Sequence, residues 1–183
     1  MKIDLNPYPA LVPAPVAMVS CGTMENSNIT TIAWTGIINS EPPLVYISIR
    51  ETRKSYEIIK KTKEFVLNIP DESLVWHADF CGTKSGKNID KFKETNLQKE
   101  EAKIVNAPII KECPINIECK VIDINDLASH KMIIGEIVNI KADEKYKLEN
   151  NMLDYSKMNL LTFMGKEYFA ANRKVAVRGI CLQ

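Results

Sequence analysis

The order of elements readable in the sequence predicts a mainly β protein, an antiparallel β-barrel carrying peripheral helices. Three observations support it. Strand-like runs open and close the chain, and only two substantial helical stretches interrupt them. No succession of βαβ units appears, which argues against a doubly wound sheet. No Gly-x-Gly-x-x-Gly follows any strand, so a Rossmann nucleotide site is not expected. With 183 residues, 45% of them hydrophobic and 26% charged, the chain suffices for a single domain, 1–183, with a substantial core.

Residues 5–15 contain four prolines and read as extended, because proline disfavours helix in the residue before it. Residues 16–21 are a short apolar strand, and 22–28 a turn leading into the next one. Residues 29–38 are rich in β-branched side chains and read as one strand. Ile29, Thr31, Ala33 and Thr35 share one face, and Thr30, Ile32 and Trp34 the other. Pro42 and Pro43 cannot donate to a ladder and mark a connection. Residues 44–50 alternate, with Val45, Ile47 and Ile49 opposite Tyr46, Ser48 and Arg50. Thr52 reads as the N-cap of a helix ending near residue 62.

Residues 65–69 are a buried strand stopped by Pro70, and 71–80 a helix capped by Asp71 or Ser73. On that helix Leu74, Ala78 and Cys81 fall on one face. In the loop 81–92, Gly82 and Gly86 permit close backbone approach, and Thr83, Lys84, Ser85 and Lys87 favour anions. Asn88 reads as the cap of a short helix holding Ile89 and Phe92. This is not a Walker loop, since Asn88 stands where Ser or Thr is required, and a flexible surface loop is the plain alternative. Residues 94–107 read as a polar connection. Residues 114–124 alternate, placing Ile115, Ile117, Cys119 and Val121 inward and Asn116, Glu118 and Lys120 outward. After a turn at 125–129, residues 130–140 return as a strand with a bulge or close approach at Gly135. Residues 143–151 are a solvated loop, and 160–164 a last short strand before Gly165.

Composition removes several function classes. A formal net charge of +1 provides no field to gather nucleic acid or an anionic membrane. No apolar run reaches the roughly 18 residues that span a bilayer. The N-terminus lacks a basic n-region and is broken by prolines, so no signal peptide is expected and the protein is placed in the cytoplasm. The five cysteines are odd in number and contain no Cys-x-x-Cys pair, which reads as buried structural thiols. The two histidines belong to no metal pattern, so no metal site is expected. His77 reads as structural; His130 opens a strand and reads equally as a ligand contact or an ordinary turn residue.

One local pattern points to a ligand. A helix N-terminus carries partial positive charge and favours acids, yet here Arg53 and Lys54 occupy the first turn, with Arg50 before them and Ser55 after. Free backbone N–H groups, cations and a hydroxyl together suit a phosphate. A solvated basic turn is the alternative.

The chain also resembles the flavin reductase-like, FMN-binding split-barrel family, and within it the flavoredoxin-like branch. The resemblance covers nearly the whole chain. It rests on Pro13-x-Pro15-Val16 leading to Val19-Ser20, on Asn28-x-Thr30-x-x-Ala33-Trp34, and on Glu41-Pro42-Pro43 followed by Ser48-Ile49-Arg50. It continues through Ser55-x-x-Ile58, Phe65-x-x-Asn68, Cys81-Gly82 with Ser85-Gly86, Asp90-Lys91-Phe92, Glu118-Cys119, and His130 with Gly135-Glu136. The resemblance implies a six-stranded split barrel, a homodimer and one non-covalent FMN near the subunit interface. By position it assigns Asn28, Thr30, Ala33, Trp34 and Thr35 to the ring and ribityl chain, with Ser48, Ile49 and Arg50 continuing that wall. Lys54 and Ser55, with the loop carrying Cys81, Ser85, Gly86 and Lys87, would serve the phosphate. His130 would approach a nicotinamide. Three functions follow as expectations: an NADH- or NADPH-dependent flavin reductase, a flavoredoxin-type carrier reduced by a redox protein, or a barrel that has lost its flavin.

Overall fold

A computed structural model describes residues 1–182. Its strands are β1 (Ala14–Pro15), β2 (Ala17–Gly22), β3 (Ser27–Ile32), β4 (Thr35–Ser40), β5 (Pro43–Ile49) and β6 (Glu64–Ile69). They continue as β7 (Lys99–Glu100), β8 (Ile109–Ile110), β9 (Ile115–Leu127), β10 (His130–Ala142), β11 (Leu160–Met164) and β12 (Glu167–Ala171). Three α-helices are interposed: α1 (Lys54–Thr62), α2 (Val75–Thr83) and α3 (Lys91–Thr95). The fold is the mainly β split barrel that the sequence predicts.

The main sheet has the order β3-β2-β6-β9-β10-β5-β4, and every pairing in it is antiparallel. The strand expected over 29–38 is therefore two strands at opposite edges of this sheet. The chain breaks at Ala33 and Trp34 to pass from one edge to the other, which alternation alone cannot reveal. This break also makes seven strands of the expected six. β1, β11 and β12 form a separate three-stranded sheet; β12 was not foreseen.

β2 is buried along its whole length, because both its faces meet apolar layers. Inward, Ala17, Val19 and Cys21 join Val45, Ile47, Phe65 and Ile133 inside the barrel. Outward, Val16, Met18 and Ile29 pack against Leu74, Ala78 and Cys81 of the α2 segment and Phe92 of α3. Full burial of each such side chain contributes about 1.5–3 kcal/mol. The 13-residue strands β9 and β10 shift register between Ile134 and Gly135. A Cβ on Gly135 would sit 2.8 Å from the Phe65 ring, so glycine is required by close approach as well as by the bulge.

Three local expectations are corrected. The cap of α1 is Arg53, without a side-chain hydrogen bond, and not Thr52. The helix expected over 71–80 is a 3-10 turn capped by Asp71, continued by α2 as far as Thr83. The short helix is capped by Asp90, whose carboxylate accepts from Lys93 N, and not by Asn88.

The nominally outward face of β9 is also covered. Glu118 is fully buried and Asn116 nearly so, because residues 99–110 fold back over them as a strap. The Glu118 carboxylate accepts from the backbone N–H groups of Lys103, Ile104 and Val105 and from Asn139 Nδ2, at 2.7–3.2 Å. Burial alone would raise its pKa; these bonds outweigh burial and hold it below the usual carboxylate range.

Candidate functional site

The break between β3 and β4 opens a groove of about 180 Å³. Its walls are Thr30 to Trp34, the end of β5 at Ser48, Ile49 and Arg50, then Arg53 and His130. Ser48 N donates to Trp34 O at 2.9 Å, so the crossing segment is pinned to β5 although the ladder is interrupted. Trp34 is half exposed, and its ring lies 4.7 Å from that of His130, tilted by 43°. Ser129 Oγ lies 2.9 Å from His130 Nδ1. Partial burial, and then the Arg50 charge, hold the imidazole below its ordinary pKa, which favours its neutral form.

A second hollow of about 280 Å³ shares Thr31, Ile32 and Ala33 with the first; the two adjoin at that segment and are together called the trough. Val16 and Phe163 give it apolar walls, and Asp79, Thr83, Lys166 and Tyr168 a polar end. Tyr168 Oη donates to Asp79 Oδ1 at 3.2 Å. Burial, then the Asp79 charge, push the phenol up to about 12, so it stays a donor. Thr31 Oγ1, which lies between the hollows, is buried with no hydrogen-bond partner. An orphaned buried hydroxyl costs about 1–3 kcal/mol, which marks a place where a ligand atom is expected.

The start of α1 closes the groove's basic end. Asn28 Nδ2 donates to Ser55 Oγ at 2.7 Å, and both residues are buried. A Cβ on Gly86 would overlap the Asn28 amide, so the loop touches β3 through glycine. Lys87 reaches back to Glu57 of α1 at 2.8 Å, and Lys87 N donates to Ser85 Oγ at 3.3 Å. Among the described residues, Arg50, Arg53 and Lys54 have no carboxylate partner. With no side-chain cap, the N–H groups of Lys54 and Ser55 remain available to an anion, while Tyr56 N donates to Arg53 O at 3.0 Å.

Of the residues the sequence pointed to, Thr30, Ala33, Trp34, Ser48, Ile49, Arg50 and His130 line the groove. The Ile49 side chain packs in the barrel core, which leaves its main chain to the wall. Asn28, Lys54, Ser55, Ser85, Gly86 and Lys87 gather at the start of α1. Two expected residues lie off the groove. The Thr35 hydroxyl donates to Tyr46 O at 2.5 Å and is spent within the β4–β5 ladder. The Cys81 thiol belongs to α2 and is sealed in the outer core, where burial pushes it up to about 11. Arg53, read only as part of the basic helix start, also lines the groove, and Thr31, Phe163 and Tyr168 were given no site role. The first two lie inside the stretch that drew attention, whereas Phe163 and Tyr168 arrive from a hairpin more than a hundred residues away.

The trough thus joins a groove walled by residues 30–34, the end of β5 and the Trp34 and His130 rings to a helix start whose cations have no carboxylate partner among the described residues, a donor set suited to a phosphorylated ligand. The comparisons agree with that class. The chain belongs to the flavin reductase like domain family, whose profile matches residues 10–170. It is similar to the flavoredoxin of Desulfovibrio vulgaris (Miyazaki F), with 31% identity and a TM-score of 0.93 over 100% of both chains. A flavoredoxin from Methanosarcina acetivorans gives 25% identity and a TM-score of 0.89, again over 100% of both chains. An uncharacterised protein of Pyrococcus abyssi is 29% identical over 89% of this chain and 98% of its own length. Among the described residues no helix is long and apolar enough to cross a membrane, and no cluster suits a metal ion.

Proposed function

We propose that the protein holds FMN non-covalently in this trough and acts as an NADH- or NADPH-dependent flavin reductase. The observation that carries the reading is the uncapped start of α1, with Arg50, Arg53 and Lys54 free of carboxylate partners among the described residues, beside a groove of about 180 Å³ lined by residues 30–34 and the end of β5. Ser55, Lys54 and Arg53 would hold the phosphate, which has the charge and acceptor oxygens this end lacks. The segment 30–34 and the end of β5 would flank the ring, with Thr31 Oγ1 as a free polar contact. When bound, FMN supplies a ring that takes up a hydride or single electrons. The chain's own part is to orient that ring, exclude water from one face, and leave the face beside Trp34 and His130 open. A neutral His130 adds a polar ring there without repelling a nicotinamide cation.

A second reading has its own support. Both flavoredoxins match along their entire length, so electron delivery by a redox protein is the alternative to a nicotinamide. A homodimer is part of the proposal, since edge strand β4 leaves Ile37 and Ile38 exposed beside the open trough. Five free cysteines, four of them buried, suit a reducing compartment such as the cytoplasm.

The test is anaerobic stopped-flow reduction of the purified protein, after mass spectrometry of its released cofactor. FMN bleached by NADH or NADPH is the expected result. Release of FAD alone, or no flavin after reconstitution, overturns the cofactor reading. No bleaching by either nucleotide, with rapid bleaching by a reduced ferredoxin-like donor, moves the protein to the carrier class.

A further inference from the structure

Lys91 opens α3 and is only 2% exposed, yet no carboxylate meets it. Its Nζ donates to Ile29 O of β3 at 2.8 Å and to Cys81 O of α2 at 2.6 Å. Neutral carbonyls satisfy its protons but not its charge, and an unpaired buried charge is costly. The titratable and charged groups that face it are Cys81 from α2, Cys21 from β2 and Arg53 from the entry to α1. Burial pushes the Cys81 thiol up to about 11 and the Cys21 thiol up to about 12, so neither is an anion at ordinary pH. Arg53 is a second cation. Among the described residues, therefore, no anion neutralises Lys91. Its position is informative: Cys21, which feels the charges of both Lys91 and Lys54, has its Sγ 3.9 Å from Ser55 O in the first turn of α1. Lys91 thus lies beneath the basic end of the trough without lining it.

We propose that Lys91 is a positioning and specificity-determining residue for the ligand's phosphate, acting as its buried counter-charge while tying α2 and β3 together behind the site. This rests on the FMN reading above. Desolvation, with Arg53 adding repulsion, brings Lys91 down to about 8. A bound phosphate, dianionic above about pH 7, restores favourable surroundings and raises that value. A group whose pKa is higher in the complex than in the free protein favours binding while it is protonated. That advantage is lost as pH rises through the free value. Riboflavin lacks the phosphate and gains nothing from Lys91.

The experiment titrates flavin-stripped protein with FMN and with riboflavin by fluorescence quenching. Between about pH 7 and about pH 9.5, FMN affinity of the wild type is expected to fall about tenfold while riboflavin affinity stays level. Lys91→Met is expected to lose most of the FMN preference at every pH. Lys91→Arg, which keeps its charge throughout, is expected to hold the preference with a flat profile. An FMN preference that is flat in the wild type, or that falls equally in Lys91→Arg, overturns the assignment to Lys91 and leaves the FMN reading standing. An unreduced preference in folded Lys91→Met does the same. Should Lys91→Met fail to fold, the contrast between wild type and Lys91→Arg decides alone. Binding of neither flavin overturns the FMN reading and this inference with it.

Discussion

The two faces of the barrel treat buried polar groups in opposite ways. On the strap side, Glu118 is fully buried and accepts four hydrogen bonds, while Asn68 and Asn116 join β6, β9 and residues 108–110 in a closed network. On the trough side, Thr31 Oγ1 has no partner, α1 has no side-chain cap, and Lys91 meets no carboxylate among the described residues. The first face is complete as folded. The second holds donors and cations in place for something the chain does not contain. An orphaned hydroxyl and an uncapped basic helix start beside the same groove are better evidence of a binding site than the volume of either hollow; the other two orphaned atoms, Ser27 Oγ and His77 Nδ1, line neither hollow.

Substitutions at Glu118, at Arg50 and Lys54, and at His130 test that contrast. The largest effect is expected from Glu118→Ala, which strands three backbone donors and Asn139. Losing bonds to a buried carboxylate costs at least about 3 kcal/mol of folding stability. FMN affinity, measured where the protein remains folded, should not change. The same carboxylate sits below its ordinary pKa, so its contribution is present above the unfolded value and is lost as pH falls through the folded one. Acid unfolding of wild type should be steeper than that of Glu118→Gln; identical acid profiles would remove Glu118 from the account.

An intermediate effect is expected from Arg50→Ala and Lys54→Ala. Each should weaken FMN binding by about 1.5–3 kcal/mol if it loses a charge-assisted phosphate contact, with riboflavin less affected and thermal stability of the flavin-free protein unaltered. Equal losses for both flavins would show that neither residue reads the phosphate. The smallest effect belongs to His130→Ala, which should slow nucleotide-driven reduction severalfold, less than about 1.4 kcal/mol. Dithionite reduction and FMN affinity should stay unchanged; a matching fall in affinity would make His130 part of the flavin's own wall.

Much of the barrel was legible because period-two alternation reports a strand directly, as in Val45, Ile47 and Ile49 or in Gly135 and its bulge. The basic start of α1 was legible because cations in a first turn run against the helix dipole. What alternation does not report is what covers the second face. Glu118 and Asn116 read as outward and are outward from the barrel, but the strap buries them. The break at Ala33 depends on sheet order, a long-range property. Cap identity at Arg53 and Asp90 turned on one or two residues, where several polar side chains compete. Lys91 lies in a family motif, yet its burial follows from two carbonyls brought together by separate elements.

The crossing at Ala33 and Trp34 also determines how the barrel is shut. Every other junction in the main sheet is a ladder of amide bonds, but β3 and β4 occupy its two ends and are joined there by the chain itself. At this crossing one backbone bond, from Ser48 N to Trp34 O, ties the segment to β5. Molecules lodged along the crossing bridge the two margins, so occupancy and mechanical stiffness on that side become one variable. The cleft is then the place where a bound ligand would add to the protein's apparent stability.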